Sequence, residues 1–372
     1  MEYRQNKYAA VAITRNGIQL ARRLGERLEG SVVYGYSKYS DGAAEGPNCY
    51  FFDQPLQELL PRLFAQYEGI ILFFSLGAVV RLIAPLLQDK KTDPAVIAID
   101  EQGRHVISVL SGHLGGANAL TLTIAGLLES RPVITTASDV QGNLAVDLLG
   151  QEYGWRADSF EGMKTVSAAL VNGEPVVLLQ ESGERGWLQA GTALPGHVRL
   201  CRTMTEATAA PFTAAILVTD RLLADSELLA LGSRSVLYRP RSLVLGIGCN
   251  RGTSAEELEA TVEAVLKEQR LSLSSVRNVA TIDLKGDEAG LLTLCGKYGW
   301  ELALFTPAQL NTVPLETPSA VVFRATGAYG VCEPAAVLSS GAEDLLLGKR
   351  ASGNVTVAIA RILFDGAEEE ET

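Results

Sequence analysis

A short glycine-rich segment holds the residues whose types and spacing best suit chemistry. It runs Ser111-Gly-His-Leu-Gly-Gly-Ala-Asn118, between a predicted strand at Ser108–Leu110 and a predicted helix at Asn118–Leu128. A strand-to-helix turn is where ligands bind in open α/β sheets, and the helix start directs N–H groups towards an anion. His113 would carry protons there, since imidazole titrates near neutrality. The residues alone slightly favour a simpler interpretation, a tight turn with a hydrogen-bonded histidine.

A second glycine loop, Gly246-Ile-Gly-Cys-Asn-Arg-Gly252, also follows a predicted strand and precedes a predicted helix. Its spacing, G-x-G-x-x-x-G, is one residue longer than the dinucleotide fingerprint, which disfavours a nucleotide-dependent dehydrogenase. Anion binding with help from Arg251 is the better hypothesis. Cys249 has no histidine near it in sequence, so a packed thiol is favoured over a nucleophile. Ser254 and Glu257 fit a capping box, in which each side chain bonds the other's backbone N–H.

Three acidic side chains stand at the ends of predicted elements. Asp139 and Asp283 each follow a predicted strand, and Glu333 opens a predicted helix. Lys285 adds an ammonium group two residues beyond Asp283. Carboxylates at such positions are more often caps or ion-pair partners than catalysts, because a helix start favours negative charge whatever the function.

The elements that must position these residues alternate between apolar strands and amphipathic helices. The predicted strands are Tyr8–Thr14, Gly69–Phe74, Ala95–Asp100, Ser108–Leu110, Pro132–Thr136, Pro175–Gln180, Ala215–Thr219, Ser242–Gly246, Arg277–Ile282, Glu301–Phe305 and Asn354–Ile359. The predicted helices are Ile18–Leu28, Asn118–Leu128, Phe160–Val171 and Ser254–Lys267. This alternation is typical of mostly parallel sheets that helices cover on both faces.

The same pattern divides the chain into three regions. Residues 1–133 and 242–372 are each predicted to form a three-layer α/β domain, and a smaller α/β middle region at 134–241 joins them. Tyr238-Arg-Pro-Arg241 is predicted to be the linker before the last domain, because proline restricts its neighbours to extended shapes. A chain of 372 residues is long enough for two or three such units.

Composition argues against several classes of protein. A net charge of −11 disfavours a nucleic-acid partner, which would need a basic face. Three histidines and five scattered cysteines predict no protein-held metal or iron–sulfur cluster. The most apolar stretch, Gly69–Val80, falls short of the roughly twenty residues of a bilayer span, and Met1–Lys7 lacks the apolar core of a signal peptide. We therefore expect a cytoplasmic protein without a membrane partner, and the oligomeric state stays open.

Several blocks, taken together, resemble the cobalt-precorrin-5A hydrolase family (CbiG) of anaerobic cobalamin (vitamin B12) biosynthesis. The blocks are Gly77–Pro85, Asp89–Pro94, Val109–Asn118, Pro132–Asp139, Gly246–Ser254, Asp283–Glu288, Val331–Ala336 and Gly353–Arg361. Their joint occurrence in this order carries the likeness, more than any one block. The likeness is thin across the middle region and at the start of the chain.

The resemblance implies a hydrolase that acts on a large, polycarboxylated cobalt tetrapyrrole. Water opens the δ-lactone of the ring A acetate in cobalt-precorrin-5A, and the two-carbon fragment leaves as acetaldehyde to give cobalt-precorrin-5B. The cobalt belongs to the substrate, and no protein-held cofactor is implied. The alternative is a non-catalytic protein that binds or carries a corrinoid of the same pathway.

Such a reaction needs a base, donors for an oxyanion and cations for the substrate's carboxylates. His113 is the candidate base and proton shuttle, and the N–H groups around Gly115–Asn118 are candidate oxyanion donors. The candidates to orient the histidine or act as acids are Asp139, Asp283 and Glu333. The candidate substrate-binding residues are Arg81, Lys90, Lys91, Ser111, Gly112, Gly115, Gly116, Asn118, Gly248, Arg251, Ser254 and Lys285.

Overall fold

The described part of the chain forms three β-sheets with helices packed against them. The computed structural model describes residues 6–40, 48–89, 92–113, 115–136, 144–158, 162–187 and 194–364. The strands are β1 Tyr8–Ala12, β2 Ser31–Tyr36, β3 Cys49–Phe52, β4 Gly69–Phe73, β5 Ala95–Ile99, β6 His105–Leu110, β7 Arg131–Val133, β8 Arg156–Ala157, β9 Val176–Gln180, β10 Val198–Cys201, β11 Ala214–Val218, β12 Ser235–Arg239, β13 Leu243–Cys249, β14 Val276–Ile282, β15 Glu301–Phe305, β16 Leu345–Ser352 and β17 Val355–Arg361. The helices are α1 Arg15–Gly25, α2 Leu56–Gln66, α3 Leu76–Ile83, α4 Ala117–Leu128, α5 Met163–Val171, α6 Met204–Thr208, α7 Asp225–Leu231, α8 Ala255–Glu268, α9 Ala289–Tyr298, α10 Pro307–Leu310, α11 Ala320–Thr326 and α12 Cys332–Ser340.

The chain divides into two compact units, residues 1–148 and 149–372. The first unit carries a seven-stranded sheet in the order β3-β2-β1-β4-β5-β6-β7. Helices α1 and α4 pack on one face of this sheet, where Leu24 and Ile124 are fully buried. Helices α2 and α3 cover the other face through residues such as Leu63 and Val79. The predicted three-layer α/β arrangement with a mostly parallel sheet is confirmed here.

The direction of β6 corrects one expectation about the glycine turn. Strands β5 and β6 pair antiparallel, because Asp100 and Gly103 form a tight turn between them. The Asp100 carboxylate accepts backbone N–H bonds from Gln102 and His105, and Gly103 has a φ of 66°. The turn after β6 therefore lies at the edge where the parallel strand β5 begins. It does not lie at the carboxyl ends of the parallel strands, as the sequence pattern had suggested.

The second unit contains two five-stranded sheets, in the orders β10-β9-β11-β12-β8 and β15-β14-β13-β17-β16. In the last sheet, β13, β14 and β15 are parallel, and β17 runs antiparallel to β13. Helices α8 and α9 pack on one face through residues such as Leu258 and Leu291. Helix α12 packs on the other face, where Ala335 and Ala336 are fully buried. The second α/β pattern predicted from the sequence is confirmed.

The predicted linker at Tyr238–Arg241 is wrong in its first half. Tyr238 and Arg239 lie in β12 and are only 3% and 2% exposed. The Arg239 guanidinium donates to Asp158 Oδ2 at 2.7 Å and to the Thr219 carbonyl at 3.0 Å. These bonds satisfy the buried charge of Arg239 inside the sheet. Pro240 indicates an extended backbone but gives no sign of this burial.

The last two sheets are tied together around one buried carboxylate. Asp220 is 1% exposed and accepts a hydrogen bond from Ser242 Oγ at 2.7 Å. The Arg361 guanidinium donates to both Asp220 oxygens, at 2.8 and 2.9 Å. Both sheets therefore belong to one compact unit, and the domain boundaries at 133 and 241 stay a prediction.

Gly246 generates a stability prediction, because a side chain there has no room. An added Cβ would lie 1.8 Å from the Cys332 carbonyl oxygen, where β13 meets α12. We expect Gly246→Ala to lower the free energy of unfolding by about 3 kcal/mol in urea denaturation of the whole chain. The control is Gly296→Ala, an open position in α9, which should stabilise by about 0.5–1 kcal/mol. Equal stability of the two variants would contradict the packing argument.

Candidate functional site

The turn from Ser111 to Asn118 needs its glycines for conformation and close packing. Ser111 has a φ of 57° and Gly116 a φ of 78°, both in the left-handed region. A Cβ on Gly115 would lie 2.3 Å from Ser111 Cβ, and one on Gly112 would lie 2.8 Å from Asn118 Oδ1. These contacts explain the residue types without reference to a ligand.

Hydrogen bonds within the turn engage most of the groups predicted to bind an anion. The N–H groups of Gly116, Ala117 and Asn118 donate to the carbonyls of His113, Ser111 and Gly112, respectively, at 2.8–3.1 Å. The Asn118 side chain accepts from Ser108 Oγ at 2.7 Å and donates to Thr136 Oγ1 at 3.0 Å. Ser111 Oγ donates to the Asp93 carbonyl. Binding of substrate by these residues stays a prediction, and their structural roles are clear.

His113 is the side chain of this turn that suits proton transfer. Its Nδ1 lies 3.1 Å from Asp147 Oδ1 and 3.2 Å from Oδ2, and both side chains are about one-fifth exposed. A carboxylate at Nδ1 fixes the ring orientation and stabilises an imidazolium. The sequence analysis missed Asp147, since 34 residues separate it from the histidine and no local pattern connects them.

None of the contacts between described residues brings the other candidates of the first unit to this turn. Arg81 is exposed on α3. Lys90, Lys91 and Asp139 lie outside the described residues. Their predicted roles stay predictions.

A second cluster surrounds the loop after β13. Lys285 Nζ donates to Glu288 Oε2 at 2.9 Å, and the backbone N–H of Gly252 donates to Glu288 Oε1 at 2.7 Å. Arg251 pairs with Asp287 and also donates to the Leu284 carbonyl at 3.0 Å. Glu288 is 3% exposed, so this buried carboxylate holds both the loop and the lysine in place. Glu288 was not among the candidates predicted from the sequence, because no local pattern shows that it is buried.

The predicted capping box at Ser254 forms only in part. Ser254 Oγ accepts from the Glu257 N–H at 3.2 Å and so caps α8. The Glu257 carboxylate instead accepts from the backbone and side chain of Asn354. Asn354, in the turn just before β17, offers this carboxylate two donors.

A cavity of about 500 Å³ opens beside this cluster, within the second unit. Gly248, Arg251, Lys285 and Glu333 are among the residues that line it. It lies where β13 and β14 end, which is the ligand position expected for an open α/β sheet. Asp283, by contrast, is exposed and is not among the described lining residues.

Two lining groups have roles that the structure makes plain. Glu333 stands in the first turn of α12, as predicted, and its Oε1 accepts from the Lys349 N–H at 2.9 Å. Burial raises the pKa of the Cys249 thiol, and the nearby Lys285 only partly offsets this effect. A protonated, half-buried thiol is a poor nucleophile, which supports a packing role for Cys249.

The described ranges contain neither a cluster of metal-ligating side chains nor a membrane-spanning helix. No group of three or more His, Cys, Asp and Glu side chains there has the arrangement to hold a metal ion. No helix in those ranges has both the length and the apolar character to cross a bilayer.

Comparison with known proteins places the chain in a family. The models described as Cobalamin synthesis G N-terminal, Cobalamin biosynthesis central region and Cobalamin synthesis G C-terminus match residues 58–139, 144–240 and 243–360, respectively. A protein of Priestia megaterium named cobalt-precorrin-5A hydrolase is 49% identical over 358 residues, which are 96% of each chain. The chain belongs to the CbiG family. The family predicted from the quoted sequence blocks is thus confirmed.

Two further relatives of this CbiG protein differ in how much of it they match. A cobalt-precorrin-5A hydrolase of Salmonella typhimurium is 32% identical over 354 residues, 92% of this chain and 93% of the relative. Protein CobE of a Sinorhizobium species is 35% identical over 121 residues, 32% of this chain and 79% of the relative. Relatives of full length therefore carry the hydrolase name, and a shorter one carries another.

The Glu288–Lys285 pair predicts a pH-dependent loss of stability. The bond from Lys285 holds the pKa of Glu288 below its usual range, although burial opposes the shift. Its stabilisation is fully present above the ordinary glutamate pKa of about 4.3 and is lost as the pH falls through the lowered value. Glu288→Gln should therefore cost about 2 kcal/mol of unfolding free energy at pH 7 and progressively less below about pH 4.

Urea denaturation at several pH values measures this difference. The control is Glu316→Gln, at an exposed loop position, which should change stability little at any pH. A Glu288→Gln cost that stays constant down to pH 2 would contradict the assigned ion pair.

Proposed function

We propose that this CbiG protein is a cobalt-precorrin-5A hydrolase. The observation that carries the proposal is the 49% identity to the Priestia megaterium hydrolase across 96% of both chains. The reaction that the resemblance implies opens the ring A δ-lactone with water and releases the two-carbon fragment as acetaldehyde. Cobalt enters with the substrate.

His113 is proposed as the group that moves protons in this reaction. Lactone opening needs a base for water, and the later carbon–carbon cleavage needs a proton removed from the freed hydroxyl and one delivered to the ring. With Nδ1 directed at Asp147, the proton would be exchanged at Nε2. Asp147 acts as a positioning residue through the histidine, a role for which the sequence had offered Asp139, Asp283 and Glu333.

Basic side chains are proposed to hold the acetate and propionate groups of the substrate. Arg81 is exposed and so accessible to a large ligand, and Arg251 is 61% exposed beside its partner Asp287. Lys90 and Lys91 stay in this proposal on their residue type alone. Guanidinium and ammonium groups both bind carboxylates well, which reconciles an acidic protein with an anionic substrate.

An acetaldehyde trap separates this proposal from a corrinoid carrier. The purified chain is incubated with cobalt-precorrin-5A, and released acetaldehyde is captured as a hydrazone and quantified against a reaction without protein. Release that scales with protein concentration supports the hydrolase. Tight binding with no acetaldehyde above background would establish the carrier instead.

Substitutions at the His113–Asp147 pair test the proposed proton transfer. We expect His113→Ala to fold normally and to lower kcat about a hundredfold or more, the usual contribution of a general base. Asp147→Asn should lower kcat while leaving KM nearly unchanged, and it should shift the pH profile, which a purely structural role would not do.

The matched control for this pair is His105→Ala. His105 sits at the opposite end of β6, with its Nδ1 3.3 Å from Asp100 Oδ2, and its side chain is 47% exposed. The same chemical substitution there should leave turnover near that of the unaltered protein. Near-normal turnover of His113→Ala would return that histidine to a structural role.

A further inference from the structure

The cavity in the second unit has an apolar wall that is unusually exposed. Val321 on α11 is 70% exposed, Leu284 is 49% exposed and Tyr329 is 46% exposed, and all three line the cavity. The Tyr329 ring stacks on Phe323 with centroids 4.4 Å apart and an interplanar angle of 22°. Exposed apolar side chains that line one cavity are typical of a ligand site.

Cationic groups stand beside this wall. Lys349 lines the cavity and is exposed, and none of the acidic side chains in the described ranges forms an ion pair with its ammonium group. Lys285 also lines the cavity, and the buried Glu288 holds its ammonium group in place. Ammonium groups are compact charges that bind carboxylates from several directions.

One acidic side chain lines the same cavity within the described ranges. Glu333 has one oxygen engaged by the backbone N–H of Lys349. Arg251, Lys285 and Lys349 are the cationic lining residues; Arg251 pairs with Asp287 and Lys285 with Glu288, which leaves Lys349 as the lining cation without an ion pair in the described ranges. An apolar wall beside an ammonium group of this kind suits a ligand that is apolar over much of its surface and carries carboxylates at its edge.

We propose that this cavity binds the edge of a polycarboxylated corrinoid. The apolar ring periphery packs against Val321 and Tyr329, and peripheral carboxylates pair with Lys285 and Lys349. This inference rests on the proposed function, because cobalt-precorrin-5A is a ligand of that class. It assigns a binding site to residues of the second unit alone.

The test uses dicyanocobyrinic acid, a stable cobalt corrinoid with free carboxylates, and isothermal titration calorimetry on the full chain. The heptamethyl ester of the same compound is the paired ligand, since it keeps the ring and removes the negative charges. The acid should bind at least tenfold more tightly than the ester, and added salt should weaken its binding. Equal affinity for acid and ester would overturn the proposal.

Two variants with matched controls locate the site. Val321→Asp places a negative charge on the exposed wall and should weaken binding of the acid tenfold or more. Lys349→Gln should weaken it about tenfold, since it removes one charge-assisted bond. The controls are Leu229→Asp, at an 85% exposed leucine of α7, and Lys267→Gln, at an exposed lysine of α8. Both should bind as the unaltered chain does.

The acetaldehyde assay on the same proteins separates the two proposals. If the unaltered chain releases acetaldehyde and Val321→Asp binds the acid undiminished, the cavity is not the site, and the hydrolase proposal stands. If no protein releases acetaldehyde but Val321→Asp and Lys349→Gln still lose affinity, the cavity is supported and the hydrolase proposal fails. Absence of binding to the unaltered chain would also overturn the cavity proposal.

Discussion

The close approach of strand β13 to helix α12 is the contact on which the second unit's cavity depends. Only a residue without Cβ fits at Gly246, because the Cys332 carbonyl oxygen occupies the space. Gly248 repeats the constraint two residues on, where a Cβ would lie 2.6 Å from Thr356 Oγ1. Glu333, in the first turn of this helix, lines the cavity together with Asn250 and Arg251 of the loop after β13. Gly246 and Gly248 therefore serve packing, whereas Gly252 has open space around it and adopts a φ of 78°, which favours glycine.

Apolar runs predicted the central strands well and the helices less completely, because burial on a sheet leaves a direct pattern in the sequence. Strand Glu301–Phe305 was predicted to the residue, and helix Ser254–Lys267 to within one residue at each end. The direction of β6 was not predictable in this way, since a parallel and an antiparallel strand bury the same side chains. It was decided by the polar turn at Asp100, whose carboxylate binds the backbone across the hairpin. The linker predicted at Tyr238–Arg241 was wrong in part for a similar reason, because Pro240 indicates an extended backbone but not the burial of Tyr238 and Arg239.

The site was harder to predict than the fold, since its partners are distant in sequence. His113 was singled out from its turn, but Asp147 approaches it only through folding of the intervening residues. The structure also changes the role expected of the turn's backbone. Its N–H groups, expected to receive an anion, mostly donate to carbonyls of the same turn. The proposal for this turn therefore rests on the imidazole side chain more than on the backbone.

The two places differ in what they offer a substrate. Within the first unit, an imidazole backed by a carboxylate is the group proposed for proton transfer, a task that depends on orientation and little on surface area. Within the second, an apolar wall with lysines provides area and charge, which is what a large anionic ring needs in order to bind. The buried Glu288 fixes Lys285 at the cavity surface, because its carboxylate accepts hydrogen bonds from the Lys285 ammonium group and from the Gly252 N–H. A protein with a net charge of −11 can thus present cations locally, because several of its acids act as supports for the basic groups beside them.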